Sequence, residues 1–269
     1  MIIDPFQVIS IISKIAEEEI IPKFLNLKPN EVFKKSNGEI VTIADIKAEQ
    51  RLDKALSSLI LGSKTIGEEK AAQDTSILKY LNENKPVWII DPIDGTQNFS
   101  NGTPCFAVMV ALVLNKEIIA SWIHDPITKI TIHAYYNKGA WDDTKRLKIK
   151  PPAPLNKMIG SFPKKLVQQL EESKKSNQKF KPNFIKRYRC VGREYMDLAR
   201  GKLNFLRYSG QLKPWDHAPG ILINRELGGY DSLVPGNAPY VCSEEIPRKT
   251  LMLARDANIW RKLSKLAND

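Results

Sequence analysis

The sequence predicts an α+β fold, in which helices and strands are mixed without the regular alternation of a parallel β/α barrel. Apolar residues recur at helical spacing from about residue 43 to residue 61, which is typical of a helix packed on a core. Apolar or alternating runs follow at residues 107–114, 118–123 and 129–135, and turn residues separate them. These runs predict an antiparallel meander. With 269 residues, of which 42% are hydrophobic, the chain can bury a large core.

The first element along the chain is a helix within residues 6–21. Val8, Ile12 and Ile15 lie at helical spacing, and charged residues interrupt the apolar stretch well short of a membrane span. The charged leader and small-residue cleavage site of a signal peptide are also missing. We therefore expect a cytoplasmic protein that does not enter a membrane.

Local signals place the next two elements. Thr42 and Asp45 have the spacing of a capping box, so the second helix should begin there. Val87 to Ile90 is a short apolar run that leads directly into Asp91. This run predicts a buried strand whose end presents carboxylates.

Prolines at positions 151, 152 and 154 indicate a seam between two halves of the chain. We expect one domain over residues 1–269, with halves of about 1–150 and about 151–269. The elements predicted beyond the seam are a strand near residues 159–162, helices near 164–175 and 194–200, a strand near 203–208, and a helix from about 216 to the glycine pair 228–229.

Charge and cysteine content exclude some classes of protein. The formal charge is +11, which attracts anions of many kinds, but the basic residues are dispersed and lack interleaved aromatics. Nucleic acid is therefore not the expected partner. Cys105, Cys190 and Cys242 are odd in number and have no metal-ligand spacing. Reduced cytosolic thiols are favoured over a disulfide framework or a zinc site.

The segment from Asp91 to Thr96 (Asp-Pro-Ile-Asp-Gly-Thr) is the most informative part of the chain. Two carboxylates three residues apart at the end of a strand can converge on one hard cation, and oxygen ligands favour Mg²⁺. A helix that starts near Gly95 would direct free N–H groups toward a phosphate at the same place. The alternatives are that the acids only cap a helix, or that Asp91 is a phosphate-accepting nucleophile. The second alternative requires a gap of two residues between the acids, and here the gap is three.

Two further acidic motifs accompany this segment. Gly67-Glu68-Glu69 precedes it, and Trp215-Asp216 with a Glu-Leu-Gly-Gly run at residues 226–229 follows it. With the stretch from Trp88 to Phe99, these motifs occur in the order found in the inositol monophosphatase family. The chain resembles that family from about residue 6 to about residue 260.

The resemblance implies a layered αβαβα sandwich of the inositol monophosphatase and fructose-1,6-bisphosphatase type. It implies two to three Mg²⁺ ions in one active site, a homodimer, and inhibition by lithium. The metal ligands that it implies are Glu68, Asp91, the backbone carbonyl of Ile93, Asp94 and Asp216.

The resemblance also implies a mechanism without a phosphoenzyme. A metal-activated water attacks the phosphate of a small phosphomonoester, and Thr96 and Glu68 orient that water. Asp45 accepts a hydrogen bond from Thr96. Gly95 and Thr96 supply backbone donors to the phosphate.

The resemblance is weakest where the family selects its substrate. Inositol-specific members place a glutamate seven residues before the metal-binding aspartate, and this chain has Ser209 there. Arg193 and Glu194 stand where small residues are expected. We therefore assign these three residues to substrate binding and keep three hypotheses. The substrate is an inositol, sugar or polyol monophosphate; or it is histidinol phosphate or a 3′-phosphoadenosine nucleotide, whose extra charge Arg193 or Lys213 would contact; or the chain binds RNA or transcription machinery.

Overall fold

The computed structural model describes residues 3–148, 153–161, 183–185 and 187–266. The helices within these ranges are α1 (Pro5–Ile15), α2 (Ile43–Leu59), α3 (Glu68–Gln73), α4 (Thr96–Ser100), α5 (Val191–Arg200), α6 (Pro214–Glu226) and α7 (Ala257–Leu266). The strands are β1 (Val32–Lys34), β2 (Ile40–Thr42), β3 (Lys64–Gly67), β4 (Val87–Asp94), β5 (Ala107–Leu114), β6 (Glu117–Asp125), β7 (Ile130–Tyr135), β8 (Gly139–Asp142), β9 (Lys145–Arg146), β10 (Ile159–Ser161), β11 (Asn183–Ile185), β12 (Phe205–Gln211), β13 (Tyr230–Val234) and β14 (Arg248–Ala254). A π-helical turn over Ala16–Ile20 continues α1, and short 3₁₀ turns cover Ile21–Lys23, Pro29–Glu31, Thr75–Asn82 and Leu155–Lys157.

The described strands form two large sheets and one hairpin. The first sheet has the order β3-β4-β5-β6-β7-β8-β9, in which β3 and β4 are parallel and the other pairs are antiparallel. The second has the order β11-β10-β12-β14-β13. The antiparallel pair β1-β2 forms a separate hairpin. The predicted meander is therefore confirmed.

Helices cover both faces of the first sheet. On one face, α1 and α2 pack against Trp88, Ile90 and other residues of the central strands. On the other face, Ile89 and its neighbours pack against α5 and α6. Because both faces are covered, β4 is buried along its whole length. Its sequence therefore begins with four consecutive apolar residues and does not alternate between apolar and polar residues.

The same two helices also cover the inner face of the second sheet, where Leu206 and Leu253 join their cluster. Its outer face packs against α7 through Phe205, Met252 and Trp260. The layers therefore run helix, sheet, helix, sheet, helix, and the predicted layered sandwich is confirmed. None of the helices among the described residues is long and apolar enough to cross a bilayer.

Most predicted elements occur within a few residues of their predicted positions. Helix α2 begins at Ile43 with the predicted capping box between Thr42 and Asp45. Helix α6 ends at Glu226, and Gly228 follows it with a left-handed φ of 71°, as the glycine pair predicts. The helix predicted near residues 164–175 lies outside the described residues, as do two of the three seam prolines.

Candidate active site

The parallel strands β3 and β4, at the edge of the first sheet, bring the first two acidic motifs close together. Gly67, the last residue of β3, lies opposite Ile90 of β4. The next residues along the two strands, Glu68 and Asp91, therefore emerge side by side at the same edge. The register of β4 against β5 shifts between Asp91 and Asp94, so this end of the strand leaves regular pairing.

Three carboxylates from distant parts of the chain converge at this edge. Glu68, Asp91 and Asp216 each offer one oxygen, and these oxygens all lie within 4.8 Å of one another. Asp216 belongs to the first turn of α6, where Pro214 supplies the fixed φ that suits a helix start. The structure thus brings together the acids of all three sequence motifs.

Asp94 is held beside this trio by the start of α5. Its Oδ2 accepts a hydrogen bond from the backbone N–H of Gly192 at 2.6 Å and one from Sγ of Cys190 at 3.0 Å. One carboxylate oxygen of Asp94 is therefore occupied by hydrogen bonds to residues near the start of α5. The side chain faces the same cavity as the trio.

The carboxylates line a cavity of about 620 Å³. Other parts of its wall come from the β1-β2 hairpin, the start of α4 and the start of α6, and they include Lys34, Asn37, Glu39, Gln97 and Lys213. This volume accommodates a small metabolite together with cations.

Burial and mutual repulsion oppose ionisation of these acids. Burial, followed by the charges of Glu68 and other neighbouring acids, raises the pKa of Asp91 and Asp216 well above the usual range. Burial also raises the pKa of Asp94 to about 6, although its hydrogen bonds from Cys190 and Gly192 act in the opposite direction. A cluster of ionised carboxylates is stable only beside positive charge, so these oxygens fit a hard divalent cation.

Two lysines supply part of that positive charge. Nζ of Lys35 lies 2.8 Å from a carboxylate oxygen of Glu68 and 2.8 Å from one of Glu69. Lys213 forms an ion pair at 3.0 Å with Glu39 across the cavity wall. Burial alone would lower the pKa of Lys35, but the charges and hydrogen bonds of Glu68 and Glu69 together outweigh it and raise that pKa. Lys35 therefore stays protonated beside the cluster.

A hydrogen-bonded chain links α2 to the start of α4. Oγ1 of Thr96 lies 3.0 Å from Oδ1 of Asp45 and 2.9 Å from the backbone oxygen of Ile93, so its single proton is donated to one of the two at a time. Oδ2 of Asp45 accepts the backbone N–H of Thr42 at 2.7 Å. Burial raises the pKa of Asp45 to about 7.

Gly95 occupies a position that only glycine fits well. Its φ is 90°, in the left-handed region, and an added Cβ would lie 3.0 Å from the backbone oxygen of Cys105 and 3.2 Å from Cβ of Cys190. The turn therefore directs the backbone of Gly95 and Thr96 into the cavity wall. Their predicted role as phosphate donors stays a prediction.

The three residues assigned to substrate binding lie elsewhere in the described structure. Arg193 forms an ion pair with the buried Asp125. Glu194 is buried and accepts hydrogen bonds from Oγ of Ser161 at 2.8 Å and from the backbone of Tyr188. Ser209 lies on the exposed side of β12, with its Oγ 2.9 Å from Oγ1 of Thr250. Arg193, Glu194 and Ser209 are not among the described residues of the cavity wall, and their substrate role stays a prediction.

Sequence reasoning missed the hairpin that walls the cavity. Its turn contains Asn37-Gly38, a strong short-range signal for a hairpin, and the β-branched run Ile40–Thr42 follows. It also missed Lys35 as a partner of Glu68, because no sequence signal joins a hairpin lysine to an acid 33 positions away.

Comparisons with known proteins agree with this fold. The family model described as "Inositol monophosphatase family" matches residues 6–261. The chain belongs to the inositol monophosphatase family. Members of this family are phosphatases that act on phosphoric monoesters.

Individual relatives are distant. The "Fructose-1,6-bisphosphatase/inositol-1-monophosphatase" of Thermotoga maritima is 31% identical over 152 residues, 53% of this chain and 55% of the relative, so that match spans about half of each. The inositol-1-monophosphatase of Caulobacter vibrioides is 31% identical over 74% of this chain and 77% of its own length. A solved Thermotoga maritima IMPase covers 97% of this chain and 94% of its own, with a TM-score of 0.79 and 23% identity. That structure supports the fold.

Proposed function

We propose that this chain hydrolyses a small phosphomonoester, an inositol monophosphate or a related sugar or polyol phosphate, with Mg²⁺ as its cofactor. The observation that carries the proposal is the convergence of Glu68, Asp91 and Asp216 within 4.8 Å at the wall of one cavity. Family membership supports the same chemistry. Water attacks phosphorus, the bond from phosphorus to the alcohol oxygen breaks, and inorganic phosphate and an alcohol leave.

The donor set fits Mg²⁺, because all the converging groups are carboxylate oxygen donors. Glu68, Asp91, the carbonyl of Ile93, Asp94 and Asp216 would hold two to three ions. When bound, Mg²⁺ lowers the pKa of water, neutralises phosphate oxygens and stabilises the leaving alkoxide.

The residues beside the cluster orient the attacking water. Thr96 donates its hydroxyl proton to Asp45 or to the backbone oxygen of Ile93, which leaves a lone pair on Oγ1 free to accept a hydrogen bond from water. Glu68, which lines the same cavity, offers a second acceptor. Two acceptors for its two protons fix the orientation of the water, and such alignment lowers the barrier for an in-line displacement.

The positive groups of the cavity bear on which alcohol is accepted. Lys34 and Lys213 line the wall and would favour a substrate with a second anionic group over a neutral polyol. The ion pair of Lys213 with Glu39 neutralises one of these charges in the free protein. A neutral polyol monophosphate is the first candidate because of the family to which the chain belongs, and a doubly charged substrate that would contact Lys34 is the alternative.

Release of inorganic phosphate from a panel of substrates tests the proposal. The panel contains inositol 1-phosphate, fructose 1,6-bisphosphate, histidinol phosphate and 3′-phosphoadenosine 5′-phosphate, each with Mg²⁺ and with EDTA. We expect Mg²⁺-dependent release that is greatest for inositol 1-phosphate, and none from Asp216→Asn. Asp74→Asn, at an exposed position, is the matched control. Absence of release from every substrate would contradict the proposal.

The proposed homodimer and cytoplasmic location are also predictions. Light scattering during size-exclusion chromatography measures the first directly, and a mass close to 61 kDa, about twice the 30.5 kDa of one chain, would agree with it. A mass of one chain at micromolar concentration would contradict it.

A further inference from the structure

The second helix carries an acidic stripe on the side that faces β3, α3 and α4. Asp45, Glu49 and Asp53 are spaced four residues apart on α2, so they lie on one face of the helix. Asp45 contacts Thr96, and Asp53 accepts a hydrogen bond from Oγ1 of Thr65 at 2.6 Å. The middle residue, Glu49, has no role in the mechanism given above. Its side chain is nevertheless almost fully buried, with 3% exposed.

Glu49 accepts hydrogen bonds from the first turn of α3. Its two oxygens lie 2.7 Å from the backbone N of Glu69 and 2.9 Å from that of Lys70. The first amides of a helix have no partner within the helix, and Gly67, which precedes α3, has no side chain to cap them. Glu49 therefore supplies the cap from another helix, 20 residues earlier in the chain.

Gly67 gives a second, independent sign of the same contact. Its φ does not lie in the left-handed region, so backbone conformation does not require glycine there. A Cβ at residue 67 would lie 2.2 Å from Cδ of Glu49 and 2.4 Å from its Oε1. The carboxylate of Glu49 occupies the space that any other side chain would fill. The position of the Glu49 carboxylate therefore requires glycine at the first residue of the Gly-Glu-Glu motif.

Glu68 lies between Gly67 and Glu69, whose backbones are both held by other parts of the structure. Its backbone follows Gly67, which pairs with Ile90 in the sheet, and precedes the amide of Glu69, which donates to Glu49. The strand and Glu49 together fix the position and direction of the main chain from which the Glu68 side chain reaches Asp91 and Asp216.

We propose that Glu49 is a positioning residue, which holds the start of α3 so that Glu68 meets Asp91 and Asp216 in the geometry that binds the metal. The inference rests on the proposed function, since it concerns the affinity of the same site for Mg²⁺. Groups that hold metal ligands in place alter metal affinity by about 10- to 100-fold when they are changed. Glu49 acts through the main chain at Glu68 and touches neither metal nor substrate.

The test is the affinity of the full chain for Mg²⁺ and Mn²⁺, measured by isothermal titration calorimetry on Glu49→Gln. The variant keeps the size of the side chain but replaces one acceptor oxygen by an NH₂ group that faces an N–H donor. We expect the dissociation constant to rise about 10-fold or more. Glu226→Gln is the matched control, because it makes the same chemical change in a glutamate that also accepts backbone N–H bonds, at the turn of residues 137–139 and away from α3. It should bind metal as the unchanged chain does.

A second variant approaches the contact from the other side. Gly67→Ala retains Glu49 but displaces its carboxylate, and it should weaken metal binding to a similar extent. Unchanged affinity in either folded variant would overturn the proposal, as would an equal loss in Glu226→Gln. If neither variant folds while Glu226→Gln does, the contact is needed for folding rather than positioning, and the proposal is also overturned. Failure of the unchanged chain to bind either ion would instead refute the proposed function.

Discussion

Removal of the metal should make the stability of this protein depend on pH in a defined direction. Three carboxylate oxygens lie within 4.8 Å of one another, and two unit charges at that distance repel by about 3 kcal/mol at an effective dielectric constant of about 20. Three such pairs would cost a large part of the roughly 5–15 kcal/mol by which proteins are stable. Lys35 offsets only part of this repulsion, through Glu68.

The sign follows from the raised pKa values of the acids. Burial raises the pKa of Asp94 from 3.8 to about 6 and that of Asp45 from 3.8 to about 7. Between the unfolded and the folded pKa, the folded protein keeps a proton that the unfolded chain has lost. The free energy of unfolding of the metal-free protein should therefore fall as the pH rises from about 4 to about 7, and stay low above that.

Bound Mg²⁺ should reverse this loss. A ligand at 100 times its dissociation constant stabilises by about 2.7 kcal/mol, and each kcal/mol shifts the Tm by about 2–4 °C in a protein of this size. We expect Mg²⁺ to raise the Tm of EDTA-treated protein by about 5–10 °C at pH 8, and by much less at pH 5. The assay is thermal unfolding followed by circular dichroism at both pH values.

Asp216→Asn provides the decisive comparison. Without metal at pH 8 it should match or exceed the Tm of the unchanged chain, because it removes one repelling charge, and it should lose the Mg²⁺ shift. Asp74→Asn, at an exposed position, should change neither. An equal Mg²⁺-induced rise in Tm at both pH values, or a full rise in Asp216→Asn, would show that the ion does not act by binding this carboxylate cluster.

Three more substitutions have defined outcomes. Asp94→Asn should abolish turnover while circular dichroism shows an intact fold, because the amide oxygen still accepts the N–H of Gly192; near-normal turnover would contradict its role. Thr96→Val keeps the shape but breaks the link to Asp45, so kcat should fall about 100-fold with little change in KM; a wild-type kcat in steady-state assays would exclude the link. Glu226→Ala removes an acceptor shared by three backbone N–H groups of residues 137–139, so urea unfolding should show a loss of about 1–3 kcal/mol; unchanged stability would show that water replaces these bonds.

Elements with strong local signals could be predicted from the sequence. Helix α2 has both an apolar stripe and a capping box, and the meander has a turn signal between each pair of strands. The acids at the end of β4 were found because a buried apolar run ends in charged residues, which itself indicates a site. The prediction that these acids lie close to Asp216 came from the resemblance to a family, because no local pattern relates residues more than a hundred positions apart.

The direction of a side chain was harder to predict. Ser209 was placed by counting back from Asp216, but side chains alternate along a strand, and on β12 the neighbouring Tyr208 faces the core. Ser209 therefore points outward toward Thr250. Counting residues gives a position along the chain, whereas the face depends on the pairing of β12 with β14.

The burial of an acidic side chain on a helix was equally hard to predict from the sequence. Glu49 stands in a helix that also presents charged residues to solvent, so its sequence context is that of an ordinary surface residue. Its partners are the amides of Glu69 and Lys70, and backbone groups carry no sequence signal. Only the four-residue spacing from Asp45 indicated that the two share a face.

The most direct test of the account is anomalous diffraction from crystals of the protein soaked in Mn²⁺, which replaces Mg²⁺ at oxygen sites. We expect anomalous peaks in contact with carboxylate oxygens of Glu68, Asp91 and Asp216, and their loss after EDTA. Peaks elsewhere with none at this cluster, or carboxylates that face separate surroundings, would contradict it.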